Sequence, residues 1–218
     1  EGIFCIRQSD KKKGEWDDML HGKNSIHIPA HSHEIIEINA GELTTGYLRL
    51  ALSGGKGTTV KILTSEAYGY PSDNPNPYMN FPKKKDRTDC IGGILHGFTD
   101  QYTVGGYGTE EMPEIYEPFW FRTFRFIQLD IKTTNEALTL EKFDYRETGY
   151  PLEIKTKVST SDVSLEKVWD ISTRTLRRCM HETYEDCPFY EQLQYAMDSR
   201  SQILFTYMTS ADDRLARK

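Results

Sequence analysis

Five acids fall within one short span of this chain: Glu182, Glu185, Asp186, Glu191 and Asp198. Carboxylates held close together raise one another's proton affinity. That is one way to keep a carboxyl group protonated near neutral pH and ready to act as a general acid. Pro188 sits among them. It has no N–H to donate and biases Cys187 away from helix, so Asp186 and Cys187 are expected in a turn between two helices. Asp198 follows Glu191 by seven residues, two helical turns, so a helix spanning both would set the two carboxylates on one face. A solvated acidic turn would explain the same composition, since surface carboxylates are ordinarily wet.

Other residues that could do chemistry are sparser. His27, His31 and His33 lie close together, and His31 and His33 are expected on one strand face. Two histidines at i and i+2 can hold a metal, but no third ligand is fixed, so sheet-surface histidines are the plainer reading and no metal or cofactor is assigned. Cys5, Cys90, Cys179 and Cys187 show no CxxC spacing. They are too few for a disulfide framework and are read as reduced thiols. The aromatic run Phe119 to Phe126 reads mostly as core, with Trp120 the best outward candidate for stacking on a sugar ring. Arg122 and Arg125 could pair with the acids or with carboxylates at a sheet edge.

The elements that would position these groups change character along the chain. His33 to Ile38 alternates as a half-buried strand. Leu43 to Leu52 puts Leu48, Leu50 and Leu52 on one face, a turn follows at Ser53–Gly57, and Thr58 to Glu66 returns. This reads as a hairpin with strands of about eight residues. Pro71, Pro75, Pro77 and Pro82 make the next stretch a surface excursion. Asp100 to Val104, the aromatic run and Ala137 to Tyr145 read as further strands, with a bend or bulge near Thr123, where the aromatic parity breaks. No helical period appears before Ser161. The first part therefore reads as a β-sandwich over residues 1–150, joined through residues 151–160 to helices over 161–218.

In those helices Ser164 is the expected N-cap. Leu165, Val168, Trp169, Ser172, Leu176, Cys179 and Met180 recur at three and four, which predicts a helix of about seventeen residues. Ala196, Ile203, Leu204, Tyr207 and Met208 are the expected apolar face of a second helix, and Asp212 to Lys218 reads as the start of a third. Helices this few cannot bury their faces alone.

Composition excludes some classes. Net charge is −6, and the basic runs Lys11–Lys13 and Lys83–Lys85 are flanked by acids or glycine. They read as solvated loops, with no nucleic-acid partner. No apolar run reaches membrane-spanning length, so no membrane partner is expected. The chain begins Glu1-Gly2-Ile3-Phe4, with neither Met nor a signal pattern. It is expected to be an internal fragment, and its compartment and oligomeric state are left open.

The acid spacing resembles one family. Asp186-Cys187-Pro188, Glu191 five residues after the Asp, and Asp198 seven later resemble the signature of the bacterial α-L-rhamnosidase family, inverting glycoside hydrolases. That family usually carries Gln-Arg-Asp-Glu-Arg-Leu-Gly-Trp-Thr-Gly-Asp across this region. Here it is Phe189-Tyr190-Glu191-Gln192-Leu193-Gln194-Tyr195-Ala196-Met197-Asp198. The carboxylates are kept, but the preceding basic residue and Asp are missing and Trp gives way to Tyr195 or a neighbour. Upstream, Gly46-Tyr47-Leu48-Arg49-Leu50, Gly57 to Val60, Ser65-Glu66-Ala67, Asp100-Gln101-Tyr102, Gly105-Gly106 and Pro118 to Phe126 look like the concanavalin-like, jelly-roll sandwich that precedes the family's catalytic barrel.

The resemblance implies a mainly β fold with an α-helical C-terminal part: a β-sandwich followed by the first helices of a truncated (α/α)6 barrel. It implies Glu191 as general acid, with Asp186 and Asp198 binding sugar hydroxyls, and a general base on a later helix beyond Lys218. The implied partner is a rhamnose-containing glycan or glycoside, and this fragment alone would be inactive. Two other readings stand beside it. One is a non-catalytic carbohydrate-binding or structural sandwich with a helical docking tail, in which Trp120 would carry binding. The other is a related helical-barrel glycosidase acting on another deoxy or uronic sugar.

Overall fold

The computed structural model describes residues 4–7, 10–72 and 82–218, without the side chains of residues 4, 5, 7, 10 and 11. Pro75 and Pro77 of the proline-rich excursion, and the Cys5 thiol, lie outside the described residues. Cys90, Cys179 and Cys187 are free thiols. The chain divides into two compact units, Glu1–Arg146 and Glu147–Lys218.

The first unit is antiparallel β. In chain order its elements are β1 (Phe4–Arg7), α1 (Asp10–Leu20), β2 (Ile26–Ile28), β3 (His33–Gly54), β4 (Thr59–Ser65), β5 (Tyr68–Gly69), β6 (Ile94–Leu95), β7 (Phe98–Thr103), β8 (Glu114–Tyr116), β9 (Arg122–Lys132) and β10 (Leu138–Glu147). The main sheet runs β2-β10-β3-β9-β4-β7, with β1 and β8 also paired to β3, while β5 and β6 form a separate pair. The expected mainly β class with C-terminal helices is what the chain adopts.

Two local expectations are corrected. The hairpin read from Leu43–Leu52 and Thr58–Glu66 does not form. β9 is inserted between β3 and β4 and pairs antiparallel with both. The physical reason lies in β9 itself, where Thr123, Phe124, Phe126, Ile127, Leu129 and Ile131 are all buried. A strand this apolar is most stable with both edges paired, and the turn at 53–57 constrains chain direction, not partner choice. The break in aromatic parity is also real, but its cause lies in β3. The register runs Asn39↔Phe126 and then Thr44↔Phe124, so the extra residues are on β3. There the Asn39 carboxamide oxygen accepts the Gly41 N–H at 2.8 Å, and Gly41 takes φ +87°, a conformation that glycine reaches without strain.

Helix α1 contradicts the expectation that no helix precedes Ser161, and it takes in Lys11–Lys13, read above as loop. Trp16, Met19 and Leu20 are its buried residues, at i, i+3 and i+4. Three apolar residues among lysines and acids make a weak period, and burial against the sheet core is what stabilises it. The core joins those three to Ile36, Ile38, Leu48, Leu50, Leu52, Phe124, Leu129, Leu138, Leu140 and Phe143, among others.

Two buried carboxylates of this unit have partners. Glu37 accepts from the Tyr68 phenol and from Gln128 Nε2 at 3.0 Å. Glu114 accepts from Tyr102 and from the N–H groups of Gly105, at 2.7 Å, and Gly106, at 2.9 Å. Burial pushes the Glu114 carboxyl up, but these hydrogen bonds outweigh it and hold the group below the usual range.

The second unit contains α2 (Val163–Arg178) and α3 (Ala196–Ser210). The N-cap of α2 is Asp162 and not Ser164, the Asp162 carboxylate accepting the Ser164 N–H at 3.0 Å. The C-terminal stretch closes turns only, Arg217 to Asp213 and Lys218 to Leu215, so the third helix read from Asp212–Lys218 does not form here.

The expected helix faces are largely reversed. On α2, Leu165 and Val168 are exposed and burial is confined to the C-terminal end, at Leu176 and then Cys179 and Met180. On α3, Leu204, Tyr207 and Met208 are exposed, whereas Ser199, Thr206, Thr209 and Ser210 are buried. Thr206 and Thr209 return their hydroxyls to the carbonyls of Gln202 and Phe205 at 2.8 and 2.7 Å, which satisfies them inside the unit. The small core of this unit is Leu152, Leu176, Met180, Tyr184 and Leu215. Among the described residues no helix is long and apolar enough to cross a membrane.

Candidate functional site

The acid-rich span begins where α2 stops. Cys179 caps the helix, and its carbonyl accepts the Glu185 N–H at 2.8 Å, so the chain has reversed within six residues. A bridge between Met180 and Tyr184 closes that reversal. From there Asp186 to Leu193 forms a closed loop: the Asp186 N–H donates to the Leu193 carbonyl at 3.0 Å, and the Gln192 N–H donates to the Cys187 carbonyl at 3.1 Å. The Cys187 sulfur accepts the Glu191 N–H at 3.4 Å. Pro188 and Phe189 are buried and anchor the loop, and Phe189 meets Tyr190 edge to face at 4.6 Å. Gln192 turns the chain with φ +50°, and Gln192 Nε2 donates to the Pro188 carbonyl at 2.9 Å.

This closure returns Glu191 to Asp186, and the two side chains share a hydrogen bond. The expected turn at Asp186–Cys187 is present. The expected helix from Glu191 to Asp198 is not, because Glu191 lies in the loop and α3 starts only at Ala196. Asp198 instead occupies the first turn of α3, where a carboxylate favours the helix dipole.

The electrostatics single out Glu191. The hydrogen bond and the like charge of Asp186 hold its carboxyl above the usual range, a little desolvation adds to this, and Asp198 pushes the same way. The Tyr195 phenol donates to Glu191 and offsets part of the rise. Tyr195 is itself raised, chiefly by the charge of Glu191. Glu191 is exposed and so open to solvent. An exposed carboxyl with elevated proton affinity is a proton donor at the pH where an isolated one would be spent.

Beneath the loop lies a buried pair. His181 Nδ1 is 3.0 Å from Glu185 Oε1, with side chains 8% and 4% exposed. The Cys179 thiol is pushed up to about 12, by burial first and then by Glu185, Cys187 and Asp186. It is a structural thiol and not a nucleophile.

Trp120 belongs to the first unit. It is 55% exposed and stacks on Phe121 at 5.1 Å. Phe121, Phe124 and Phe126 are core, as expected. Arg122 is committed to Asp100 by two hydrogen bonds, and Arg125 lies over the Phe126 ring. The histidines do not converge. His31 is in a turn at φ +56° and not on a strand beside His33, which pairs with Asp130 at 2.8 Å. Among the described residues no three His, Cys, Asp or Glu are grouped to hold a metal.

Sequence reasoning passed over Tyr195 as a partner of Glu191, and over Gln202 and His181. The signals were faint: His181 and Glu185 stand at i and i+4, and Gln202 stands one helical turn after Asp198.

Comparison with known proteins bears on this site. Residues 154–218 match the family model of the bacterial alpha-L-rhamnosidase 6 hairpin glycosidase domain. A rhamnosidase of Bacillus sp. GL1, from family GH78, superposes with TM-score 0.60 at 23% identity, covering 84% of this chain and 17% of that one. A rhamnosidase from Klebsiella oxytoca with rhamnose bound superposes with TM-score 0.60 at 17% identity, covering 87% of this chain and 35% of that one. This chain thus spans well under half the length of either structure. No curated protein matches the sequence. The resemblance to bacterial α-L-rhamnosidases rests on the family match over residues 154–218, and the two structures share the fold.

Proposed function

We propose that this chain is the N-terminal part of an α-L-rhamnosidase that hydrolyses terminal α-L-rhamnosyl residues with inversion. Glu191 is the general acid. Asp186 and Asp198 bind sugar hydroxyls and keep Glu191 protonated, and the general base comes from outside residues 1–218. The observation that carries the reading is the Asp186–Glu191 hydrogen bond, which raises the Glu191 carboxyl inside the segment that matches the glycosidase family. Such a carboxyl can protonate the leaving oxygen, while inversion needs a water activated on the opposite face of the ring.

The test uses the whole protein that carries this chain, with an aryl α-L-rhamnoside followed by proton NMR. The first-formed product is expected to be β-rhamnose. α-Rhamnose as first product would overturn inversion, and no release from any rhamnoside would overturn the enzyme reading.

A pH prediction follows from the sign of the shift. The acid must be protonated, so kcat/KM falls as pH rises through the elevated Glu191 value. In Asp186→Asn the like charge is gone and Glu191 ionises at lower pH, so the alkaline limb of the kcat/KM profile is expected to move down in pH. A charge-assisted hydrogen bond to the sugar is weakened as well, and KM should rise about tenfold. A limb that stays in place would show that Asp186 does not tune Glu191.

A second reading draws on the exposure of Trp120 and Phe119 in the β unit: carbohydrate binding without catalysis. Rhamnose titration separates the two, because Trp120→Ala would then abolish binding while Glu191→Gln leaves it unchanged.

A further inference from the structure

We infer that Gln202 is a positioning residue for the acid pair: its side-chain amide ties the peptide before Asp186 to α3 and so holds Asp186 against Glu191. The catalytic consequence rests on the function proposed above, whereas the positioning itself does not. Gln202 Nε2 donates to the Glu185 carbonyl at 2.6 Å across seventeen residues of sequence. Gln202 lies one helical turn after Asp198, on the same row of α3. One amide therefore joins the row bearing Asp198 to the residue that precedes Asp186.

The neighbouring contacts make that row a dock. One turn further on, Thr206 Oγ1 accepts from the Tyr184 phenol at 3.2 Å. The Glu185 N–H is held by the Cys179 carbonyl at 2.8 Å, and its carboxylate is held by His181. Glu185 is thus fixed from α2 on one side and from α3 on the other. The next peptide, Asp186, closes the loop onto Leu193.

The choice of glutamine needs explaining, because Gln202 Oε1 is buried and unpartnered among the described residues. An unmet buried amide oxygen opposes folding, and an apolar residue would avoid that penalty. The residue is accounted for by the one bond its nitrogen makes. The titratable groups around Glu191 are Asp186, Tyr195 and Asp198. Those under the turn are Glu185, His181, Cys179 and Cys187.

The test is made in the whole protein that carries this chain, with Gln202→Leu and the isosteric Gln202→Glu, whose ionised carboxylate cannot donate to the Glu185 carbonyl. Both are expected to lower kcat about ten- to a hundredfold with a smaller change in KM, as a misplaced acid does. Gln202→Leu should also move the alkaline limb of kcat/KM to lower pH, because Glu191 loses the neighbour that raises it, whereas the charge added by Gln202→Glu works in the opposite sense. Crystal structures of the two variants should show the Asp186–Glu191 hydrogen bond broken.

Thr206→Val, which loosens the same row without touching Glu185, should lower Tm and leave the limb in place. A limb unchanged in Gln202→Leu, with the acid pair unchanged in both variants, would overturn the inference, whatever their Tm. The Glu191→Gln variant separates the two failures. If it keeps turnover on alkyl rhamnosides, Glu191 falls as the general acid, and the variant structures alone then decide on positioning.

Discussion

Glu191→Gln is expected to lose about a thousandfold in kcat on alkyl rhamnosides, within the range that general-acid catalysis contributes. The amide keeps the shape of the side chain and can still donate a hydrogen bond, but it cannot hand a proton to the departing oxygen. The loss should be smaller with an aryl leaving group, which departs with little protonation, and the gap between the two substrates is the signature of a missing acid. Rhamnose affinity should change less than tenfold, because in this reading Asp186 and Asp198 carry the ground-state contacts. The alkaline limb of the pH profile should disappear with the carboxyl that causes it. Kinetics on both substrate classes, with a rhamnose titration alongside, check the prediction. Turnover unchanged on alkyl rhamnosides would remove Glu191 from the chemistry.

The largest expected effect on stability is Phe124→Ala. Phe124 is fully buried, faces Thr44 just past the β3 bulge, and meets Tyr145 edge to face at 5.1 Å. Truncating a buried phenylalanine removes its transfer free energy and leaves a cavity, a loss of about 3–5 kcal/mol, to which the lost aromatic pair contributes. A domain of ordinary stability has little more than that in reserve. Denaturant unfolding of Phe124→Ala should show a large drop in midpoint, with Phe119→Ala as the contrast. Phe119 is fully exposed and should stay within about 0.5 kcal/mol of the parent. Similar losses at the two positions would mean that the aromatic run does not face the core as described.

What could be read without coordinates was local. The period-two stretches at His33–Ile38 and Leu43–Leu52 carry their own strand signal, and Leu48, Leu50 and Leu52 are buried as their alternation requires. Pro188 forces a break in helix, and Asp186–Cys187 lies in a turn for that reason. The spacing of Asp186, Glu191 and Asp198 pointed to a family before any geometry was known. Each of these is a property of neighbouring residues, set by sterics and side-chain period within a few positions.

Partner choice was not legible. The turn at 53–57 reads the same whether or not another strand enters beside β3, and only the long-range pairing of β9 decides it. The burial of α3 shows the same limit from the other side. Its apolar residues suggested one inward face, yet Ser199, Thr206 and Thr209 lie inward, and the Thr206 and Thr209 hydroxyls are satisfied there by backbone and by Tyr184.

By itself the sequence determined the strands at His33–Ile38 and Leu43–Leu52, the break in helix at Pro188 and which acids travel together, since those follow from local backbone preference and spacing. The tertiary structure alone decided that Glu191 comes back onto Asp186 through a closed loop instead of along a helix. It also decided that Gln202, sixteen positions after Asp186, holds the peptide beside it. Such meetings depend on hydrogen bonds between distant segments, and no short window of residues encodes them.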